Sequence, residues 1–185
     1  MFRFLFERDS NFNLANLFTF TNIGAGVVAI YFISKGEYNL AVISAWIGGA
    51  FDIFDGKIAR KFGLSSPFGI QLDSFADSLS FVIVPLLLLY FAIFQESSIN
   101  PILFGTAFLF YTIAGLRRLI NFNLNSDIGK VEKFFTGVPT PLGAILLWII
   151  YLLWSSGIVE NEIYILFYIA IVGYLLNSKI RIPHP

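Results

Sequence analysis

Long runs free of Asp, Glu, Lys and Arg organise this chain. Six stand out, at residues 10–34, 38–51, 78–95, 97–116, 134–159 and 163–178. A helix needs about 20 mostly apolar residues to cross a bilayer, and the first, fourth and fifth runs reach that length unaided. The second reaches it only by continuing through Asp52 and Asp55 toward Arg60. The third becomes comfortable only by starting near Gly69 and taking in Asp73 and Asp77. The pattern predicts an all-α integral membrane protein. Its single membrane domain, residues 1–185, has six transmembrane helices spanning approximately 14–34, 39–60, 69–94, 99–120, 138–157 and 161–178. Two of these helices must each carry two carboxylates. The first run lacks the basic start and small-residue cleavage site of a removable signal peptide, and it keeps Asn16, Thr19 and Asn22.

Composition sharpens the picture. Hydrophobic residues make up 57% of the chain and charged residues 13%, with mean hydropathy +0.77. That is too few charges to cover the surface of a soluble globule. Twelve Lys and Arg balance twelve Asp and Glu, which excludes a basic nucleic-acid binder. With no cysteine, disulfide scaffolds, thiol nucleophiles and zinc–thiolate sites are excluded too.

Lys and Arg also set the orientation, because cytoplasmic loops carry the excess. With six crossings, Arg3, Arg8, Lys57, Arg60, Lys61, Arg117, Arg118, Lys130, Lys133, Lys179 and Arg181 fall on one side, and Lys35 alone falls on the other. This predicts two cytoplasmic termini and a plasma-membrane protein whose polar face looks into the cytoplasm.

That topology gathers the acids. Asp52 and Asp55 lie at the cytoplasmic end of the second helix, and Asp73 and Asp77 at the cytoplasmic start of the third. Spacings of three and four residues place each pair on one helix face. Asp52 lies eight residues before Arg60, about 12 Å along a helix axis, and Asp77 is similarly deep relative to Gly69. Four carboxylates just below the headgroups repel one another, so protons or cations must offset them. Oxygen ligands without His or Cys suit Mg²⁺, Mn²⁺ or Ca²⁺, and two divalent ions would neutralise the set. Such a pair commonly clamps a phosphoryl group. Gly56 and Ala59 are small enough for a ligand to approach the backbone, and Arg60 either offers a bidentate phosphate contact or simply neutralises an aspartate. Asn16, Thr19 and Asn22, three residues apart, either meet a nucleotide or bond helix to helix. Gly69 either lines the ligand or permits close packing. A divalent-ion channel or carrier is the competing class, although the far halves of the helices are almost purely apolar.

The run Asp52-Ile-Phe-Asp55-Gly56-Lys-Ile-Ala59-Arg60, then eight residues, then Gly69-Ile-Gln-Leu-Asp73-Ser-Phe-Ala-Asp77 resembles the signature of the CDP-alcohol phosphotransferase family, with eight fixed positions in register. The resemblance implies a six-helix membrane bundle, usually a homodimer, that moves a phosphatidyl-type group from a CDP-linked lipid to an alcohol and releases CMP. It implies Asp52, Asp55, Asp73 and Asp77 as ligands of two Mg²⁺ or Mn²⁺ ions, with Asp77 also the general base. It further implies a CDP-lipid site of Asn16, Thr19, Asp52, Gly56, Ala59, Arg60, Gly69 and Asp73.

Arg118-Leu-Ile-Asn-Phe122-Asn123, the segment 135–141 and the ending Ser178-Lys-Ile-Arg-Ile-Pro resemble the phosphatidylserine synthase branch or its archaeal-lipid equivalent. Ala15, Val82 and Arg117 depart from that branch's habits. The implied acceptor is L-serine, met by Arg118, Asn123, Pro139 and Thr140, with Arg118 on its carboxylate. A sibling using glycerol phosphate or inositol phosphate would need more cations near the loop between helices four and five. Direct displacement needs no Ser–His or Cys–His pair, and His184, the one histidine, reads as a solvated tail residue.

Overall fold

The helix starts are written in short polar residues. Asn13 accepts a hydrogen bond from Asn16 N (3.0 Å), Ser66 from Gly69 N (3.1 Å) and Asn161 from Ile163 N (2.9 Å). Each satisfies an amide that the first helical turn would leave unpaired. Pro67 follows Ser66 at the first helical position, where its missing N–H costs nothing. Gly63 ends the preceding helix with φ of 66°, the left-handed cap that glycine adopts without strain.

The computed structural model describes residues 3–125 and 134–183. Among them six long helices follow one another: α1 (Leu14–Ser34), α2 (Tyr38–Phe62), α3 (Pro67–Phe94), α4 (Pro101–Asn125), α5 (Thr140–Ser155) and α6 (Glu162–Leu176). The all-helical expectation holds, apart from two three-residue strands. These are β1 (Phe134–Thr136) and β2 (Arg181–Pro183), paired antiparallel with Phe135 opposite Ile182.

Among the described residues three helices are long and apolar enough to cross a membrane: α1, α3 and α4 over Pro101–Leu124. α2 has 25 residues but carries Asp52, Asp55, Lys57, Arg60 and Lys61. α5 and α6 are apolar but shorter, with 16 and 15 residues.

α3 is the central rod, and more than half of an 18-residue apolar stretch of it is buried. Phe81, Val82, Val84, Leu88 and Leu89 supply the middle of the core, against Ala29 of α1, Tyr111 of α4, Leu147 of α5 and Ile169 of α6. α3 is wound as a π-helix over Ser78–Ile83 and again over Tyr90–Phe94. Pro85 sits between them, where it lacks a donor and crowds the carbonyl four residues back. The first of these wider turns, just before Pro85, accommodates that interruption.

The outer faces are as apolar as the core. Val27, Val28 and Tyr31 on α1, Ile43, Trp46 and Ile47 on α2, and Phe167, Ile171 and Tyr174 on α6 are all exposed. In water this would be a severe liability; hydrocarbon is the solvent it fits.

α1 and α2 approach closely through Gly48. A Cβ there would lie 2.9 Å from Asn22 Oδ1 and 3.2 Å from Ala25 Cβ. Gly48→Leu is therefore expected to push the two helices apart, at about 1–3 kcal/mol, read as a lower melting temperature in detergent. An unchanged melting temperature would contradict the tight crossing.

Candidate active site

The acids come together where α2 ends and α3 begins. One carboxylate oxygen from each of Asp52, Asp55 and Asp73 lies within 4.8 Å of the others. Asp77 stands one turn beyond Asp73, and its carboxyl lies beside that of Asp52. Two ionised carboxylates side by side repel each other, so a proton or a cation is needed to offset them. Asp77 Oδ1 is buried with no hydrogen-bond partner among the described residues.

Neighbouring side chains fix these carboxylates. Thr19 Oγ1 donates to Asp55 Oδ2 at 2.7 Å, and Asn22 Nδ2 donates to Asp52 Oδ1 at 3.0 Å. Asn22 Oδ1 in turn accepts from Ser80 Oγ at 2.8 Å. Both ends of the Asn22 amide are thus taken by protein groups, and Asn22 and Ser80 are fully buried. Of the two readings of Asn22 the geometry favours helix-to-helix bonding: it ties α1, α2 and α3 together beneath Asp52.

Asn16 is also buried. Its Nδ2 donates to Asn11 O at 3.1 Å, and its Oδ1 lies 2.9 Å from where a Cβ on residue 69 would sit. Gly69 therefore lets the start of α3 touch α1. Gly56 and Ala59 are partly exposed, and the Arg60 guanidinium folds back over Gly56, with Nη1 3.3 Å from that glycine's virtual Cβ.

The expected acceptor residues lie on α4 and at the start of α5. Asn123 Nδ2 donates to Ser74 Oγ at 2.7 Å, and Ser74 is the residue after Asp73, so Asn123 reaches the helix that carries the acids. Arg118 is buried, donates through Nε to Val138 O at 3.4 Å and lies over the Phe122 ring. Pro139 caps α5, and Thr140, its first residue, is buried. Lys130, Lys133 and His184 lie outside the described residues. Ser74 and Ser80 went unrecognised in the sequence because a lone serine inside an apolar helix gives no local sign of its partner.

The donor set suits a hard cation. It is all oxygen, drawn from carboxylates, and one buried oxygen of Asp77 lacks any other partner. The one ion pair among the described residues joins Arg3 and Glu7 on the surface, so no Lys or Arg contact of that kind neutralises the acids. Unit charges this close repel by about 3–4 kcal/mol per pair at an effective dielectric near 20.

Comparison with known proteins points the same way. A family model described as CDP-alcohol phosphatidyltransferase matches residues 12–176. The chain is 32% identical over 177 residues to a CDP-diacylglycerol–serine O-phosphatidyltransferase of Helicobacter pylori (strain ATCC 700392 / 26695), covering 91% of this chain and 71% of that one. It is 32% identical to the protein of the same name from Bacillus subtilis (strain 168), covering 91% and 88%. It is 33% identical to an archaetidylserine synthase of Methanothermobacter thermautotrophicus (strain ATCC 29096 / DSM 1053 / JCM 10044 / NBRC 100330 / Delta H), covering 92% and 69%.

Mn²⁺ is expected to raise the melting temperature of the detergent-solubilised protein. At a hundredfold excess over its dissociation constant the stabilisation is about 2.7 kcal/mol. Asp73→Ala should lose most of that shift. A shift of equal size in Asp73→Ala would place the ion elsewhere.

Proposed function

The chain belongs to the CDP-alcohol phosphatidyltransferase family, and from that premise we propose that it transfers the phosphatidyl (or archaetidyl) group of a CDP-linked lipid to the hydroxyl of L-serine, releasing CMP in phospholipid biosynthesis. It is a membrane enzyme, a CDP-diacylglycerol–serine O-phosphatidyltransferase. The observation that carries this reading is the convergence of Asp52, Asp55 and Asp73 within a chain whose relatives over nine-tenths of its length are named for transfer to serine or for archaetidylserine synthesis.

Asp52, Asp55, Asp73 and Asp77 hold two divalent cations, Mg²⁺ or Mn²⁺. When bound, such ions supply charge neutralisation at the diphosphate and on the leaving phosphate. The protein's own groups do the rest. Arg60 pairs with phosphate oxygens, and the small Gly56 and Ala59 leave room for the CDP moiety beside it. Asn16, Thr19, Gly69, Asp52 and Asp73 complete that site, with Thr19 acting through its bond to Asp55.

Arg118 meets the carboxylate of serine, while Asn123, Pro139 and Thr140 orient the rest of the amino acid. The serine oxygen attacks the lipid-linked phosphorus, the P–O bond to CMP breaks, and Asp77 takes the hydroxyl proton. Catalysis of this kind is mainly positioning and electrostatics, with general-base help because a free hydroxyl is a poor nucleophile.

The lipid chains rest on exposed apolar helix faces and enter sideways from the bilayer. In this reading all six helices cross the plasma membrane as one domain, both termini and the acidic site face the cytoplasm, and the protein works as a homodimer. The eleven-to-one distribution of Lys and Arg supports that orientation.

Supplying purified protein with CDP-lipid, Mn²⁺ or Mg²⁺ and labelled alcohols tests the acceptor. Serine should be incorporated, and glycerol phosphate and inositol phosphate should not; incorporation of a phosphorylated alcohol in place of serine would overturn the assignment. Asp77→Asn should lower turnover by about 10²–10⁴-fold while CDP-lipid still binds. Near-normal turnover would remove Asp77 from the role of base.

A further inference from the structure

The proposed acceptor site is assembled from two separate stretches of chain. Arg118 and Asn123 come from α4, and Pro139 and Thr140 come from the turn that opens α5. The segment that follows α6 contacts both.

Asn177 Nδ2 donates to Ala114 O at 2.9 Å, one turn before Arg118 on α4. On the other side, Gly137 N donates to Ile180 O at 2.7 Å, next to the bond from Val138 N to Leu175 O in the last turn of α6 at 3.0 Å. β2 then pairs with β1, Thr136 lying opposite Arg181 and Phe134 opposite Pro183. Val138 O accepts from Arg118 Nε at 3.4 Å, which closes the ring from α4 through the turn and the final segment back to α4.

The fit around residue 137 is specific. Gly137 has φ of 83°, and a Cβ there would stand 2.5 Å from Leu176 O and 3.0 Å from Ser178 O. A side chain is excluded both by backbone conformation and by main-chain atoms that cannot rotate away. The turn is therefore seated directly on the backbone where α6 ends and the following segment begins.

From this ring of contacts we infer that residues 177–183 are a positioning element for the acceptor site. They hold the Pro139–Thr140 turn in register with Arg118, and none of their hydrogen bonds described above reaches the aspartates. The inference rests on the serine-transfer reading. Its consequence is selective: disturbing this segment weakens the use of serine and leaves the handling of CDP-lipid intact.

The test compares full-length protein with a chain ended after Lys179, which lacks the Ile180 carbonyl and β2. The KM for serine is expected to rise on the order of tenfold, because small misplacements of a binding group are costly. The KM for CDP-lipid should stay within about twofold, and stabilisation by CDP with Mn²⁺ should persist. An unchanged serine KM, or parallel changes in both KM values, overturns the inference. Should the shortened chain lose its stabilisation by CDP and Mn²⁺, Gly137→Ala in the full chain decides by the same two KM values. Full-length protein that consumes CDP-lipid but not serine would refute the acceptor assignment and the inference with it, a result visible before any variant is made.

Discussion

Mutual repulsion among four carboxylates is the constraint on which the rest of this architecture depends. Asp52, Asp55 and Asp73 place oxygens within 4.8 Å of one another, and Asp77 touches Asp52 from the next turn. A helical bundle gains nothing from such a cluster by itself, since intramembrane acids are expensive to keep. Holding them together takes hydrogen bonds from the first helix: Thr19 to Asp55 and Asn22 to Asp52, with Ser80 bracing Asn22 from the third. Close helix approach at Gly48 and Gly69 makes those bonds possible. The cluster is thus a polar site built into an otherwise apolar bundle, and a cation is a partner whose charge would balance it.

This arrangement divides the labour between chain and ion. In the proposed reaction the protein fixes where oxygens, the Arg60 guanidinium and the acceptor groups stand, and a bound cation would supply the charge that offsets the leaving phosphate. The π-helical stretch Ser78–Ile83 begins right after Asp77, so the central helix is locally widened just beyond the acids and brings Ser80 to Asn22. An apolar exterior carries the whole assembly in lipid, where a CDP-linked lipid and a water-soluble alcohol can meet at one boundary.

Much of this was legible along the chain because it is local. Apolar runs mark the helices, and spacings of three and four put Asp52 with Asp55 and Asp73 with Asp77. What was not legible depends on contacts between distant positions. Asn123 and Ser74 are 49 residues apart, and Ser80 and Asn22 are 58 apart; nothing in either neighbourhood announces the other. Asn22 suited a ligand or a neighbouring helix equally well until both ends of its amide had partners. The pairing of β1 with β2 was hidden for the same reason, since three-residue strands carry no periodicity of their own.

The most direct measurement is an anomalous difference map from crystals grown with Mn²⁺ and CDP. A strong peak among the oxygens of Asp52, Asp55 and Asp73, at bonding distance from each, is the result this account predicts. Mn²⁺ peaks only at surface carboxylates, with the four acids turned toward separate surroundings, would contradict it.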